Sequence, residues 1–218
     1  MAGFRLPRDD QRTLIFGRTG SGKTQYGAWL LSESNFHKRP TVIVDYKGDK
    51  LLNSSPYIEE IGLNTVPKHP GLYIVHPKPD DDMEVEAWFW KLWAKENIGL
   101  YIDEGYMVPD KGALRALLTQ GRSKHIPAII LTQRPVWITR FAVSEADFYT
   151  AFHLNSDKDR KTVEAFLPHG ALGGRLLPYH SKWYDVGSDT LLTMSPSPSA
   201  DHIEERFNER LRPRRRKL

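Results

Sequence analysis

One stretch, Gly17-Arg18-Thr19-Gly20-Ser21-Gly22-Lys23-Thr24, restricts this chain more than any other. It fits G-x-x-x-x-G-K-[ST] and falls between the apolar run Thr13 to Phe16 and a segment in which Tyr26, Trp29, Leu30 and Leu31 read as helix. Glycines let the backbone curl until its amide hydrogens point inward at phosphate oxygens. The helix start adds partial positive charge at the same place. On this reading Gly17 to Thr24, with Gln25, hold a nucleoside triphosphate such as ATP; Lys23 reaches the β and γ phosphates, and the Thr24 hydroxyl ligates magnesium.

A strand feeding a helix through such a loop belongs to an α/β fold, and the rest of the chain agrees. Apolar, β-branched runs recur at Thr13 to Phe16, Thr41 to Asp45, Leu72 to His76, Ile98 to Asp103, Ala128 to Thr132 and Phe148 to Leu154, with helix-like segments between several of them. That alternation predicts a central, mostly parallel sheet with helices on both faces. Several runs lack polar alternation, as strands buried on both faces do. The clearest helix is Met83 to Asn97, where Val85, Trp88, Phe89, Leu92 and Trp93 form an apolar stripe. Trp90 lies off the stripe and is a candidate contact with a neighbouring subunit.

Beyond Leu167, Pro168, Gly170, Gly173 and Gly174 mark a loop. Ser181 to Val186 and Thr190 to Met194 then read as a small β-hairpin appendage around Gly187-Ser188-Asp189. The organisation expected is one domain over 1–195, with a core at 12–167 and the β appendage at 168–195. A linker, Ser195-Pro-Ser-Pro-Ser, a short helix over Ala200 to Leu211 and a basic tail follow in 196–218.

Composition narrows the function classes. The 218 residues include no cysteine, which excludes disulfides and thiolate metal ligation. No run approaches the roughly 18 apolar residues of a membrane span, and Met1 to Arg12 lacks the apolar stretch of a signal peptide. The expectation is a soluble, intracellular chain. Of the net charge of +4, Arg210, Arg212, Arg214, Arg215, Arg216 and Lys217 supply six positive charges, leaving the rest at −2. Such a run either meets nucleic acid phosphates or is a solvated terminus. His76, His125, His153, His169 and His180 show no metal-ligand spacing, so no zinc site is expected.

Two further strand ends carry chemistry. Ile98-Gly99-Leu100-Tyr101-Ile102-Asp103-Glu104 is an apolar strand closing on two carboxylates. Asp103 suits magnesium, and Glu104, expected on the other side of the strand, suits a general base that polarises water. The run Ile129 to Thr132 ends in Gln133-Arg134-Pro135, whose amide is placed to sense a γ-phosphate. The expected site is a cradle of amides beside the Asp-Glu pair on adjoining strand tips.

Taken together, the glycine loop, Leu-Tyr-Ile-Asp-Glu at 100–104, Gly-Arg-Ser-Lys-His-Ile-Pro-Ala-Ile-Ile-Leu-Thr-Gln-Arg-Pro at 121–135 and Asp45-Tyr-Lys-Gly-Asp resemble the FtsK/HerA superfamily of DNA-pumping ATPases over most of 12–167. With little besides the motor, the chain is similar within it to the genome-packaging ATPases of membrane-containing, double-jelly-roll viruses. The resemblance implies a RecA-like P-loop NTPase fold of the ASCE type and a ring, commonly a hexamer. It implies double-stranded DNA as substrate, with capsid vertex or portal proteins and viral membrane proteins as partners. The implied location is the packaging vertex of the virion and the host cytoplasm.

The same resemblance makes Lys23, Glu104 and Gln133 the catalytic set, and Arg122 the arginine offered to a neighbour's nucleotide. Arg160 is its rival and Arg115 a more distant one. Lys47, Lys50, Lys111 and Arg115 are candidate contacts to the DNA backbone. Two other readings stay open: a phage extrusion, secretion or conjugation-type ATPase, which would usually carry a membrane span, and a nucleotide-binding ring scaffold that does not turn over.

Overall fold

The computed structural model describes residues 3–109, 111–138 and 143–212; Arg214, Arg215, Arg216 and Lys217 of the expected basic tail lie outside them. Six apolar runs form the strands β1 (Arg12–Phe16), β2 (Pro40–Asp45), β4 (Gly71–Val75), β5 (Gly99–Asp103), β6 (Ala128–Thr132) and β7 (Phe148–Ala151). A two-residue edge strand, β3 (Glu59–Glu60), pairs with β4 and is exposed; two glutamates offer no apolar pattern to read. The sheet order is β3-β4-β2-β5-β6-β1-β7-β8-β9. Every pairing from β3 to β7 is parallel. The C-terminal hairpin, β8 (Ser181–Asp185) and β9 (Thr190–Met194), continues this sheet antiparallel at the β7 edge.

Helices α1 (Lys23–Glu33) and α5 (Ala200–Leu211) cover one face of the sheet, and α2 (Asp82–Lys95) and α3 (Ala113–Gln120) the other; α4 (Asp157–Glu164) follows β7. Successive residues of a strand point to opposite faces. Thus Leu14 and Phe16 join Trp88, Phe89, Leu92, Leu114 and Leu117 in one core, while Ile15 joins Tyr26, Leu30, Leu31 and Phe207 in the other. The stripe expected on α2 is the buried one, with Trp93 partly buried, and Trp90 is 42% exposed.

Gly27 shows how closely α1 lies on the sheet: a Cβ there would come within 2.8 Å of the Tyr101 hydroxyl and 3.0 Å of Leu131. This close approach sets α1, and Lys23 at its start, against the ends of β5 and β6. On the outer side of α1, α5 inserts Ile203 and Phe207, both fully buried. Arg206 pairs with Glu33 through two bonds of 2.8 and 3.1 Å. Arg210 donates to the carbonyls of Ser32 and Ser34 at the end of α1 and lies over the Phe36 ring. Arg210 is therefore part of the packed fold, not of a free basic run: cations at a helix C-terminus satisfy carbonyls the helix leaves open.

Candidate nucleotide site

The loop of Gly17 to Thr24 leaves β1, Asp103 and Glu104 end β5, and Gln133 follows β6. In the sheet these strands are consecutive in the order β5-β6-β1. The glycine loop and the carboxylates therefore do not stand on adjoining tips as expected; β6 separates them, and its own tip supplies Gln133. Two strand spacings amount to roughly 10 Å, a gap that a lysine from the start of α1 can span. Lys23 is buried, and its Nζ lies 3.4 Å from Glu104 Oε1.

Local sequence explains the loop. Its root is pinned to both flanking strands: Gly17 N–H donates to Thr132 O (3.2 Å) and Arg18 N–H to His153 O (3.1 Å). A Cβ on Gly17 would come 2.5 Å from Ser21 Oγ and 2.8 Å from Phe152 Cβ, so the curl closes only around glycine. Gly22, the residue before α1, has φ 95°, and no side chain caps the helix. The first-turn N–H groups of α1 therefore have no partner within the helix or from a cap, which is the arrangement an anion completes. The buried Ser21 hydroxyl also has no protein partner. Two clefts border the loop. One, about 230 Å³, is lined by Arg18, Gly20, Ser21, His153, Tyr179 and His180. The other, about 520 Å³, is lined by Arg18, Thr19, Gln133, Arg134, Trp137 and Asp159. The Gln25 side chain donates to the Pro198 carbonyl at 2.7 Å and so holds the linker before α5, while its backbone N–H belongs to the uncapped first turn of α1.

Asp103 and Glu104 are buried, 1% and 0% exposed. Strand alternation does not aim Glu104: its backbone sits in the left-handed region (φ 59°, ψ 60°), which turns the carboxylate toward Lys23. A non-glycine residue held there costs on the order of 1–3 kcal/mol and is a frequent mark of functional sites. Burial, reinforced by the Glu104 charge, pushes the Asp103 carboxyl up to about 7. Asp103 Oδ1 and Glu104 Oε2 are buried without hydrogen-bond partners. These orphaned oxygens fit a divalent cation. Among the described residues no three His, Asp or Glu side chains could hold a metal by themselves. The donor set therefore suits magnesium bound through one carboxylate, a hydroxyl and phosphate oxygens, the way that ion is usually held beside nucleotides.

The raised Asp103 value carries a stability prediction for protein free of metal and nucleotide. The unfolded chain ionises Asp103 near its ordinary value of 3.8, whereas the folded chain does so near 7. The contribution of the protonated carboxyl is thus complete below the lower value and is lost as pH rises to the upper one, by about 1.4 kcal/mol per pH unit. Asp103→Asn, which cannot ionise, should gain on wild type in denaturant melts between about pH 4 and 7, then hold a constant difference. Parallel stability profiles for the two proteins would contradict this assignment.

Gln133 links the glycine loop to the segment after β5: Oε1 accepts from the Thr19 hydroxyl, and Nε2 donates to Tyr106 Oη at 3.1 Å. Tyr106 in turn stacks edge-on against Trp137, over which the Arg134 guanidinium lies. Arg122 is elsewhere. It follows α3, pairs with Asp147, and has a side chain 59% exposed. Asp147 also binds the backbone and side chain of Arg12, which opens β1. Arg122 thus sits at the start of the strands, roughly 15 Å of parallel strand from its own phosphate loop. Arg160 lies at the other end, on α4, within reach of the Leu154 carbonyl. Lys111, Arg115 and Lys50 are exposed. Lys47, read from sequence only as a candidate DNA contact, pairs with Glu104 Oε1.

Comparison with known proteins agrees with this fold. No protein-family model matches the chain. Among solved structures, the genome packaging NTPase B204 of Sulfolobus turreted icosahedral virus 2, in complex with AMPPCP, superposes with a TM-score of 0.72 at 22% identity, covering 88% of this chain and all of that one. ATPases 2 and 3 of EssC from Geobacillus thermodenitrificans give 0.65 at 13% identity, covering 93% of this chain and 44% of that one. At those identities the likeness is one of fold. The sequence itself goes further: it is 46% identical over 216 residues to the DNA packaging ATPase P9 of Enterobacteria phage PRD1, spanning 94% of this chain and 95% of that protein. Aligned with that protein almost end to end at this identity, the chain belongs to the family of the phage DNA packaging ATPase P9.

Proposed function

We propose that this chain is an ATP-driven translocase that packages double-stranded viral DNA into a preformed capsid. The observation that carries the reading is the convergence of the loop, Asp103-Glu104 and Gln133 on neighbouring strand tips, in a chain 46% identical to a DNA packaging ATPase. Open amides of the loop and of the first turn of α1 receive the β and γ phosphates, and Lys23 exchanges its contact with Glu104 for a phosphate oxygen. Thr24 and Asp103 hold magnesium, which when bound neutralises charge on the phosphate oxygens. Glu104 accepts a proton from the attacking water, and Gln133, tied to both Thr19 and Tyr106, registers the γ-phosphate. The 230 Å³ cleft beside Tyr179 accommodates the nucleoside.

In the same reading the chain works as a ring, with six the expected number, at the packaging vertex and in the host cytoplasm. Capsid vertex, portal and viral membrane proteins are its partners. Among the described residues no helix is long and apolar enough to cross a membrane. Motor and scaffold roles are separated by turnover. Purified chain should hydrolyse ATP, duplex DNA should raise the rate, and Lys23→Ala should lose nucleotide binding and turnover together. Tight binding without hydrolysis, in the presence of DNA and shell partners, would favour the scaffold.

A further inference from the structure

Tyr179 stands where a turn calls for glycine. The His180 N–H donates to the Leu177 carbonyl at 3.1 Å, closing a turn with Pro178 second and Tyr179 third, and Tyr179 has φ 61°. Proline second and a positive φ third is the pattern of a type II turn, whose third place normally falls to glycine because a Cβ is crowded there. A bulky aromatic residue held in that region is an outlier, and such strain collects at functional sites. Packing does not account for it, since Tyr179 is 59% exposed. What the ring does touch is the phosphate loop: a Cβ on Gly22 would meet Tyr179 Cδ1 at 3.3 Å, so a glycine of the loop leaves the room in which the ring stands.

The cleft of about 230 Å³ beside Tyr179 opens from the same loop. Ser21 contributes a buried hydroxyl with no protein partner, and Arg18, His153, Arg175 and His180 complete the polar lining. No carboxylate or carboxamide side chain lines this cleft, so the groups that best accept from the amino edge of adenine are missing from it. The main-chain carbonyls of Arg18, His153 and Leu177 each already hold an N–H, and His180 Nδ1 lies 3.0 Å from the Pro178 carbonyl. Strong selection between similar substrates arises where the wrong one leaves a site's buried polar groups unpaired. Here no such set exists for the edge of a base. A flat ring is present instead, and every base has a π-face to lay on it.

We propose that Tyr179 is the platform on which the nucleobase stacks, and that the site recognises the face of a purine rather than its edge, so that ATP and GTP are taken almost alike. The proposal rests on the triphosphate lying in Gly17 to Thr24, which brings the nucleoside to the side of the loop where Tyr179 stands. Glycine at 179 would relax the turn but leave the base no surface; tyrosine supplies that surface at a strained position. The ring takes no part in the chemistry, so its loss weakens binding without slowing the saturated enzyme.

The test is equilibrium binding of the full chain to ATP, GTP and inorganic tripolyphosphate, each with magnesium. Wild type should hold ATP and GTP within about tenfold of each other. Tyr179→Ala should weaken both nucleotides by about tenfold, the usual effect of one base stacked on an aromatic ring, and leave tripolyphosphate within about twofold. In steady-state turnover the loss should fall on KM for ATP and not on kcat, and Tyr179→Phe should restore the wild-type KM. Tyr179→Gly, which suits the turn, should melt no lower than wild type and still bind nucleotide as weakly as Tyr179→Ala. Unchanged nucleotide affinity in Tyr179→Ala, or a wild-type preference between ATP and GTP above about tenfold, would overturn the proposal. So would a Tyr179→Gly protein that melts well below wild type, because the ring would then be a prop for the loop. The two layers separate cleanly: a wild-type chain that binds neither nucleotide nor tripolyphosphate strikes the phosphate-loop reading, whereas tripolyphosphate binding with no nucleotide loss in Tyr179→Ala strikes the platform alone.

Discussion

Glu104→Gln is expected to keep its nucleotide and lose its turnover, with kcat down by about 10²–10⁴-fold, the usual share of a positioned general base. The glutamine fills the same fully buried space but cannot take a proton. Lys23 and Lys47 both lose a shared counter-charge. The triphosphate replaces it for Lys23, and one negative charge fewer beside the γ-phosphate favours binding. Affinity for ATP should therefore be equal or tighter, measured with a fluorescent nucleotide analogue, while single-turnover hydrolysis nearly stops. Turnover within about tenfold of wild type, in a protein that binds normally, would remove Glu104 from the chemistry. Loss of binding together with turnover would instead make it a structural partner of Lys23.

The phosphate loop was legible because everything it needs is contiguous: the strand before it, the glycines that curl it and the helix after it occupy one short stretch. The core strands were legible because burial on both faces writes them as unbroken apolar runs, as in Leu14-Ile15-Phe16 and Val42-Ile43-Val44. What sequence concealed was strand order. Nothing in the apolar run at Ala128 to Thr132 states that it inserts between β5 and β1, since that neighbour relation arises from packing between distant segments. Glu104 was placed by strand alternation, and the left-handed turn defeated that reading, because glutamate carries no local signal for a positive φ. The Lys47 contact joins residues 57 apart. Its one audible signal was Asp45-Tyr-Lys-Gly-Asp, an acidic side chain followed by glycine, which is turn chemistry. Arg210 shows the opposite error: counted as tail charge, it is committed to the end of α1 by carbonyls that only the fold brings near.

Arg122→Ala is expected to lower turnover by about a thousandfold or more if its guanidinium meets a neighbour's γ-phosphate, and the effect should be rescued by a second defective chain. The substitution costs the fold little, because the Arg122 side chain is 59% exposed and Asp147 keeps its bonds to Arg12. Its position is unsuited to its own nucleotide, lying at the start of the strands while the loop lies at their ends, but head-to-tail subunits in a ring bring unlike surfaces together. Arg122→Ala chains supply intact Glu104, and Glu104→Gln chains supply intact Arg122. Random mixing at equal amounts makes about one interface in four complete, because each site draws on two different chains. If sites fire independently, the mixture should approach that fraction of the wild-type rate, far above either variant alone. A ring whose sites must fire in sequence will recover less, so the diagnostic is turnover above both parents, followed as subunits exchange. Should exchange proceed with no recovery, Arg122 is not the trans arginine; the same mixture made with Arg160→Ala then recovers activity if Arg160 holds the role.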